Sequence, residues 1–249
     1  MVFYVVYRAP REVKNRSTLP HHLKALGCRR VHKSFWEVKE EKVNRVLKIL
    51  EKNQPILLKR VREIRKSQFV KNKGISELGS LVVVMYATPK EAKREKIKTF
   101  IEKAPYIRLC RSVYAFSQKH SLFDKNNELV DTQKFTDFIK GIREDVKVIP
   151  RVIIVNKGSL ERLLEETRQR VENEISDINR CCRKLYNEAL KGESEVRRIR
   201  DSFLKNKRRF IVVKKVAAFY EKWLGLDFSR SLMKAYRAVA KVNSILNSK

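Results

Sequence analysis

The side chains of this chain that could do chemistry are mainly cations, and they occur in groups along the sequence. The densest group lies in residues 197–215, where Lys and Arg recur with one Asp among them. Guanidinium and ammonium groups donate charge-assisted hydrogen bonds to phosphate oxygens. The residues predicted to bind nucleic acid are therefore Arg8, Arg11, Lys14, Arg16, Arg29, Arg30, Lys33, Arg108, Arg111, Arg197, Arg198, Lys205, Lys207, Arg208 and Arg209.

The overall charge agrees with an anionic partner. The 249 residues include 58 Lys and Arg against 28 Asp and Glu, a formal net charge of +30, whereas a small domain stays soluble with a charge of roughly 2–8. Nucleic acid, DNA before RNA, is favoured over an anionic membrane surface. A thermophile-like surface rich in charge is the alternative, and it explains the abundance of charge but not its sign.

No other residues form a pattern typical of catalysis or metal binding. The four His (His21, His22, His32 and His120) have no Cys or carboxylate at ligand spacing, and the four Cys form no CxxC pair. There is no Gly-rich phosphate loop and no nucleophile elbow. Asp131 is predicted to cap a helix. We expect no catalytic residue, no metal and no cofactor.

Nothing in the sequence predicts a membrane segment or an export signal. No run of 18 apolar residues exists, and the chain opens directly into a strand-like segment. Scattered Cys residues are typical of a reducing compartment. We expect a cytoplasmic protein with no membrane partner.

The segments that would position the cations occur as two similar copies in the sequence. Residues 2–10 read VFYVVYRAP and residues 81–89 read LVVVMYATP, each an apolar run closed by a Tyr, two residues and a Pro. Such runs are typical of buried strands, and helical and hairpin patterns follow each in the same order. The sequence predicts an α+β protein with two tandem ferredoxin-like (βαββαβ) domains, residues 1–65 and 81–156, joined by a linker, residues 66–80.

Each copy contains a predicted hairpin after its first helix. Arg111-Ser112-Val113-Tyr114 stands in the second copy where Lys33-Ser34-Phe35-Trp36 stands in the first. Strand alternation places some of the hairpin cations on the face opposite the core, although they could instead be incidental charge on edge strands. Trp36 and Tyr114 occupy equivalent positions, where a place in the core is favoured over stacking on bases.

In residues 157–249 the spacing of apolar residues becomes helical, which predicts a basic helical domain. A heptad seam, with alternating steps of four and three, runs through Val171, Ile175, Ile178, Cys182, Leu185 and Ala189. Gly192 and Gly225 separate three predicted helices, which would form a helical hairpin or bundle. The seam could also mediate a homodimer, so both arrangements stay open.

The first copy resembles a known family. Val31-His32-Lys33-Ser34-Phe35-Trp36-Glu37 is similar to the V-Q-x-S-V-F-E hairpin of the second CRISPR-associated adaptation protein (Cas-two), and Val5-Val6-Tyr7 stands in place of that family's V-V-Y-D strand. Tyr7-Arg8-Ala9-Pro10-Arg11-Glu12 is similar to the start of ChrB-type regulators of the same ferredoxin-like superfamily. His32 stands where that family has its Gln, so the resemblance implies a structural hydrogen bond for His32. The resemblance covers residues 1–65 well, residues 81–155 more loosely, and the helical tail not at all.

The resemblance implies a fold and a DNA-binding surface but not a nuclease. In the Cas-two family an Asp at the end of the first strand is associated with metal-dependent cleavage, and here Arg8 and Ala87 occupy that position. Mg²⁺ requires oxygen ligands, and a guanidinium repels it. The family's other property, duplex DNA held along the basic surface of a dimer, needs no Asp, and two copies in one chain could form that pair intramolecularly.

Three functions follow, in order of preference. The first is a non-catalytic protein that binds duplex DNA through its phosphates, with a basic surface shared by both repeats and the helical tail. The second is a metal-dependent nuclease of the Cas-two type that uses a relocated carboxylate. The third is a coiled-coil adaptor or structural protein whose charge is only a solvated surface.

Overall fold

The computed structural model describes residues 1–8, 18–70, 74–87, 89, 91–118, 129–142, 145–191 and 196–247. In this part of the chain one large antiparallel sheet is combined with seven α-helices and a long C-terminal helical region, which confirms the α+β class. The chain divides into two compact units, Met1–Phe123 with Val130–Glu165, and Asp124–Leu129 with Glu166–Lys249. The described residues of both predicted repeats lie in the first unit, except Leu129.

The first half of the first unit alternates strands and helices. Its elements are β1 (Val2–Val6), α1 (Leu19–Ala25), β2 (Arg29–His32), β3 (Phe35–Lys39), α2 (Val43–Ile49) and β4 (Ile56–Arg60). Pro20 lies in the first turn of α1, where its missing N–H costs nothing. Gly27 follows the helix with a left-handed φ of 72°, which closes the last turn.

Residues 66–80, predicted to be a linker, contain a small sheet of their own. Its two strands are β5 (Gln68–Val70) and β6 (Gly74–Glu77). The base of this segment is closed because the Ser80 N–H donates to Arg65 O at 3.0 Å and Ser80 Oγ accepts from the Arg65 N–H at 2.8 Å. At Gly79, with φ of 73°, a Cβ would meet the backbone of residues 65–67 at 2.7 Å, so glycine is required.

The second half repeats the order of the first. Its elements are β7 (Leu81–Tyr86), α3 (Glu91–Ile101), β8 (Ile107–Cys110), β9 (Val113–Ser117), α4 (Thr132–Ile142) and β10 (Val146–Ile154). The same backbone hydrogen bond ties the first strand to the hairpin in both halves. Tyr7 N–H donates to Ser34 O, and Tyr86 N–H donates to Ser112 O, each at 3.1 Å. The two halves therefore share this backbone hydrogen bond as well as their order of elements.

The eight strands of the two halves form one continuous sheet in the order β2-β3-β1-β4-β10-β7-β9-β8. The halves join at its centre, where residues 152–154 of β10 pair with residues 58–60 of β4. Residues 146–149 of β10 pair instead with β7. The register shifts beyond Ile149, where Arg151 has a φ of 57°, so a bulge lets one strand serve both halves.

In each half the helices cover one face of the sheet. The core of the first half joins strand residues Val5 and Trp36 to helix residues Leu23 and Val46. An equivalent core in the second half includes Val84, Phe116, Ile97, Phe135 and Ile139. Side chains alternate along a strand, so these cores account for only every second strand residue.

The other face of the sheet is also apolar, and it is also buried. No side chain of this set is more than 4% exposed: Tyr4, Val6, Phe35, Ile56 and Leu58 in the first half, and Val83, Met85, Leu109, Val113 and Ala115 in the second. Strands buried on both faces read as continuous apolar runs, as residues 2–7 and 81–86 do. Contacts between the two halves explain this burial.

Side-chain hydrogen bonds show that the sheet folds back on itself. Arg8, just after β1, donates through Nε to Leu109 O at 2.6 Å and through Nη2 to Arg108 O at 2.5 Å. His32 in β2 bonds to Tyr86 O at the end of β7, at 3.0 Å. Each contact joins strands five places apart in the sheet, which would be about 24 Å apart if the sheet were open. The two halves therefore pack sheet face against sheet face.

These contacts are close to reciprocal. His32 and Cys110 hold equivalent hairpin positions, as do Val31 and Leu109. Arg8 of the first half donates a hydrogen bond to Leu109 O in the second. Lys147 of the second half donates one to Val31 O in the first, at 2.9 Å. Reciprocal contacts of this kind are typical of two-fold pairing.

Three long helices form the C-terminal region: α5 (Lys157–Lys191), α6 (Val196–Leu224) and α7 (Ser229–Asn247). Gly225, with a φ of 66°, donates to Glu221 O and ends α6. Asp227 accepts from the Ser229 N–H at 2.8 Å at the start of α7. Gly192, predicted to break the first of these helices, lies outside the described residues. In the described ranges, no helix has the length and hydropathy to cross a membrane.

The heptad seam of α5 is buried within the single chain. All six of its side chains, from Val171 to Ala189, are at most 8% exposed. Buried residues of α6, among them Phe203, Phe210 and Tyr220, supply apolar surface in the same unit. The bundle is therefore favoured over a homodimer as the arrangement that uses this seam.

Arg8→Ala is expected to destabilise the first unit by about 1.5–3 kcal/mol, the usual range for hydrogen bonds to a charged group. The free energy of unfolding should be measured in a Trp223→Phe background, where Trp36 fluorescence reports on the first unit alone. Arg111→Ala removes the same charge from an exposed position and serves as the matched control. Equal stability of the two variants would contradict the clamp.

His32 is expected to make the contact between halves sensitive to pH. Its Nε2–H donates to Tyr86 O, whereas the buried Nδ1 has no partner among the described residues. Burial lowers the pKa of His32, and Lys33 and Lys147 add to this, while the hydrogen bond to Tyr86 O and the charge of Asp145 oppose it. Because the folded pKa lies below the unfolded value of about 6.5, this stability is complete above that pH and is lost as pH falls through the folded pKa.

The His32→Gln variant tests this pH dependence, because an amide can still donate to Tyr86 O but does not titrate. Its unfolding free energy, read from Trp36 fluorescence between pH 5 and 8 in the same Trp223→Phe background, should fall less steeply below pH 6.5 than that of the parent chain. Superimposable pH profiles would contradict the role given to His32.

Candidate nucleic-acid interface

Two hairpins present predicted cations at matching positions. Arg30 lies opposite Trp36 across β2 and β3, and Arg108 lies opposite Tyr114 across β8 and β9. Each register then shifts in the same way before the turn, so the two hairpins are built alike. The turns carry a second matched pair, Lys33 and Arg111.

The hairpin cations are all exposed, but they differ in their partners. Arg29 forms an ion pair with Glu37, and this hydrogen bond raises the pKa of Arg29. Arg30 lies 5.7 Å from the centre of the Trp36 ring, a cation–π geometry that orders the side chain and leaves its charge intact. Lys33 and Arg111 form no ion pair within the described part of the chain. Arg30, Lys33 and Arg111 are therefore available to an anionic partner.

Arg8 has a different position from the one its sequence context suggested. It is half-buried, and its guanidinium donates to two carbonyl groups of β8. A phosphate would have to compete with those carbonyls, so the structure gives Arg8 a role in joining the halves. Its predicted companions Arg11, Lys14 and Arg16 lie outside the described residues.

Helix α6 carries the densest exposed positive charge. Exposed cations in its N-terminal two thirds are Arg197, Arg198, Arg200, Lys205, Lys207, Arg208 and Lys214. Asp201 is the only carboxylate in residues 197–214, and the opposite face of the helix is buried. At 1.5 Å per residue this basic stretch is about 26 Å long. It therefore offers a long surface for phosphates, interrupted by the exposed apolar side chains of Leu204 and Ile211.

Arg209 belongs to the fold of the helical unit rather than to this exposed surface. Its Nε and Nη2 atoms bind Glu174 Oε1 of α5 at 3.1 and 2.5 Å. The hydrogen bond from Arg209 to Glu174 favours the charged form, and the pKa of Arg209 is raised although burial opposes this. The ion pair joins α5 to α6, so the charge of Arg209 is already compensated.

The remaining sequence predictions near these sites mostly concern the core. Trp36 is fully buried and Tyr114 is half-buried, which confirms the core interpretation for Trp36. His32 makes the predicted structural hydrogen bond. Asp131 caps α4 by accepting from the Lys134 N–H at 2.7 Å. No group of three His, Cys, Asp or Glu suited to a metal was found in the described ranges.

The buried cysteines are poorly placed for nucleophilic chemistry. Burial raises the pKa of Cys110 to about 12 and that of Cys182 to about 11. A thiol with such a pKa is almost entirely protonated at neutral pH, whereas the thiolate is the reactive form. These cysteines therefore act as small apolar residues.

One basic stripe was missed in the sequence. Helix α7 contains four cations and no carboxylate, and they are spaced by four, three and four residues: Arg230, Lys234, Arg237 and Lys241. That spacing places them on one face of the helix. The helical spacing of these four cations is visible in the sequence and is the signal that identifies the stripe.

The contrast between Arg209 and Arg208 can be measured. Arg209→Gln should destabilise the helical unit by about 1 kcal/mol, because it leaves a partly buried Glu174 without its partner. Arg208→Gln removes the same charge from an exposed neighbour and should leave stability unchanged. Denaturant unfolding followed by Trp223 fluorescence in a Trp36→Phe background separates them. A larger loss for Arg208→Gln would contradict these assignments.

No protein-family model, curated protein or solved structure was found to match this chain. The similarity of the hairpin at Val31–Glu37 to the Cas-two family therefore stays a prediction. Function has to be inferred from the positions and partners of this chain's own charged residues.

Proposed function

We propose that this protein is a non-catalytic nucleic-acid-binding protein that holds duplex DNA through its phosphates. Both halves of the first unit and the helical unit contribute basic surface to this binding. The observation that carries the proposal is the matched exposure of Arg30 with Arg108 and of Lys33 with Arg111 on two equivalent hairpins. A duplicated pair of cation sites suits a partner whose charge also repeats.

We further propose that each half is a ferredoxin-like repeat and that the halves act as an intramolecular pseudo-dimer. The βαββαβ order in each half and the strand order β2-β3-β1-β4, matched by β8-β9-β7-β10, support this fold assignment. The reciprocal contacts of Arg8 with Leu109 and of Lys147 with Val31 support the pairing. In such a pair the two hairpins would be related as the two half-sites of a dimer are.

Burial of both sheet faces argues for contacts to phosphates rather than to bases. A four-stranded sheet that reads single-stranded RNA does so with exposed aromatic residues on which bases stack. Here the apolar sheet residues are covered on both faces, including Tyr4, Phe35 and Trp36. Hairpins and helices remain, and the exposed side chains of the two hairpins and of residues 196–214 in α6 are mostly Lys and Arg. Cations without stacking platforms recognise charge and leave base sequence unread.

Competing functions have less support from particular residues. A metal-dependent nuclease would have to use a relocated carboxylate, because Arg8 and Ala87 stand where the resembling family has its Asp. No group of three His, Cys, Asp or Glu suited to a metal was found among the described residues. A coiled-coil adaptor needs an exposed seam, and the heptad seam of α5 is buried within the chain. Incubation with DNA and Mg²⁺ or Mn²⁺, with and without chelator, is expected to leave the DNA uncut.

The hairpin cations are expected to contribute to the salt dependence of DNA binding. Changing Arg30, Lys33, Arg108 and Arg111 together to Gln should reduce the slope of log Kobs against log[salt] by about 0.9 for each lost phosphate contact. Fluorescence anisotropy with a blunt duplex at several salt concentrations measures this slope. The matched control changes four exposed cations of α2 and α3 to Gln: Arg45, Lys48, Arg94 and Lys96.

The control variant loses the same charge and should keep the slope of the parent protein. An equal loss of slope in both variants would show that net charge alone matters and would count against the hairpins. Affinity no better than micromolar at about 50 mM salt for every DNA and RNA tried would overturn the proposed function itself.

A further inference from the structure

A cleft of about 380 Å³ lies between α5 and α7 in the helical unit. Its walls are two facing stripes, Asn179, Arg183, Tyr186 and Asn187 on α5, and Lys234, Arg237, Ala238 and Lys241 on α7. At 1.5 Å per residue the stripes are about 12 and 11 Å long. The volume falls in the range of small-molecule sites, and none of these residues was predicted to bind nucleic acid.

The charge of this cleft is entirely positive. Four of its eight lining side chains are cations, and none is a carboxylate. Arg183, Lys234, Arg237 and Lys241 form no ion pair within the described part of the chain. Like charges that face each other across a cleft repel, and low-dielectric walls concentrate their field. An anion bound between the two helices would relieve that repulsion.

The uncharged residues of the cleft point to more than a phosphate. Tyr186 is half-buried, and a phenol ring is a surface on which any base can stack. Asn179 and Asn187 supply amides that donate and accept hydrogen bonds, as base edges require. The Oδ1 atom of Asn179 is buried and has no hydrogen-bond partner among the described residues, whereas Asn187 is exposed, and its amide can meet a base edge.

We propose that the cleft between α5 and α7 is a nucleotide-binding site. The phosphates lie among Arg183, Lys234, Arg237 and Lys241, and the base stacks on Tyr186 with its edge toward the Asn amides. The nucleotide is either free in solution or the unpaired end of a strand, because both present the same phosphate and base. This site is separate from the duplex contacts proposed for the hairpins and α6, and it stands without them.

The first test removes charge from the two walls of the cleft. Binding of a fluorescent nucleoside triphosphate to the full chain should weaken by roughly tenfold or more for each cation lost in the variant Arg183→Gln with Arg237→Gln. The matched control, Lys184→Gln with Lys222→Gln, removes two charges from exposed positions of the same unit outside the cleft lining and should stay within about twofold of the parent. Equal weakening by both variants, or no binding by the parent, would overturn the proposal.

The second test asks whether a base is recognised. Tyr186→Phe should bind the nucleotide like the parent, whereas Tyr186→Leu should weaken it about fivefold or more, because the stacking surface is lost. Inorganic pyrophosphate should compete poorly with the nucleotide and should be indifferent to Tyr186→Leu. Equal competition by pyrophosphate would overturn the assignment of the cleft to nucleotides.

Two duplexes of the same length distinguish the sources of the nucleotide. Tighter binding of a duplex with a single-stranded overhang than of a blunt duplex, with the difference lost in the cleft variant, assigns the site to strand ends. Equal binding of the two duplexes, with retained binding of free nucleotide, assigns it to free nucleotides. Failure of the blunt duplex to bind would count against the proposed function alone, since occupancy of the cleft is measured with the free nucleotide.

Discussion

The strands of both halves are apolar on both faces, and each face has to be shielded from water. Helices cover one face in each half, so the other face is covered by packing the halves together. Ten side chains on those inner faces are at most 4% exposed, and full burial of a large apolar side chain contributes about 1.5–3 kcal/mol. Their sum far exceeds the contribution of the few side-chain hydrogen bonds between the two packed faces, each about 0.5–3 kcal/mol. Apolar burial therefore holds the halves together, and Arg8, His32 and Lys147 fix how they are aligned.

This packing decides which cations are left for a partner. It buries the inner faces of the sheet, and it places Arg8 where its guanidinium donates to two carbonyl groups of β8. In the helical unit the pairing of α5 with α6 engages Arg209 with Glu174 in the same way. Apart from Arg29, which pairs with Glu37, the exposed cations of the hairpins and of α6 form no ion pair within the described part of the chain. The excess of positive charge thus divides into a few cations that align elements and many that face solvent, and the second class is the one suited to phosphates.

The sequence predicted most elements but not how they combine. The repeated run at residues 2–7 and 81–86 was enough to predict the duplication, because an apolar run of this length is diagnostic of a buried strand. The lack of polar residues in these runs also indicates that both faces of the strands are covered. The short exposed pair β5–β6 gave no periodic signal. The roles of Arg8 and Arg209 depend on residues about 100 and 35 positions away, and no local pattern encodes such contacts.

Protection of lysines from acetylation, read by mass spectrometry with and without saturating duplex DNA, tests the central claim most directly. Lys33, Lys205 and Lys207 are exposed on the hairpin and on α6, while Lys48, Lys52 and Lys96 are exposed on or next to the outer helices α2 and α3. If the protein binds duplex phosphates with its hairpins and α6, bound DNA protects the first three and leaves the other three reactive. Equal acetylation of both sets in the presence of DNA would contradict the account.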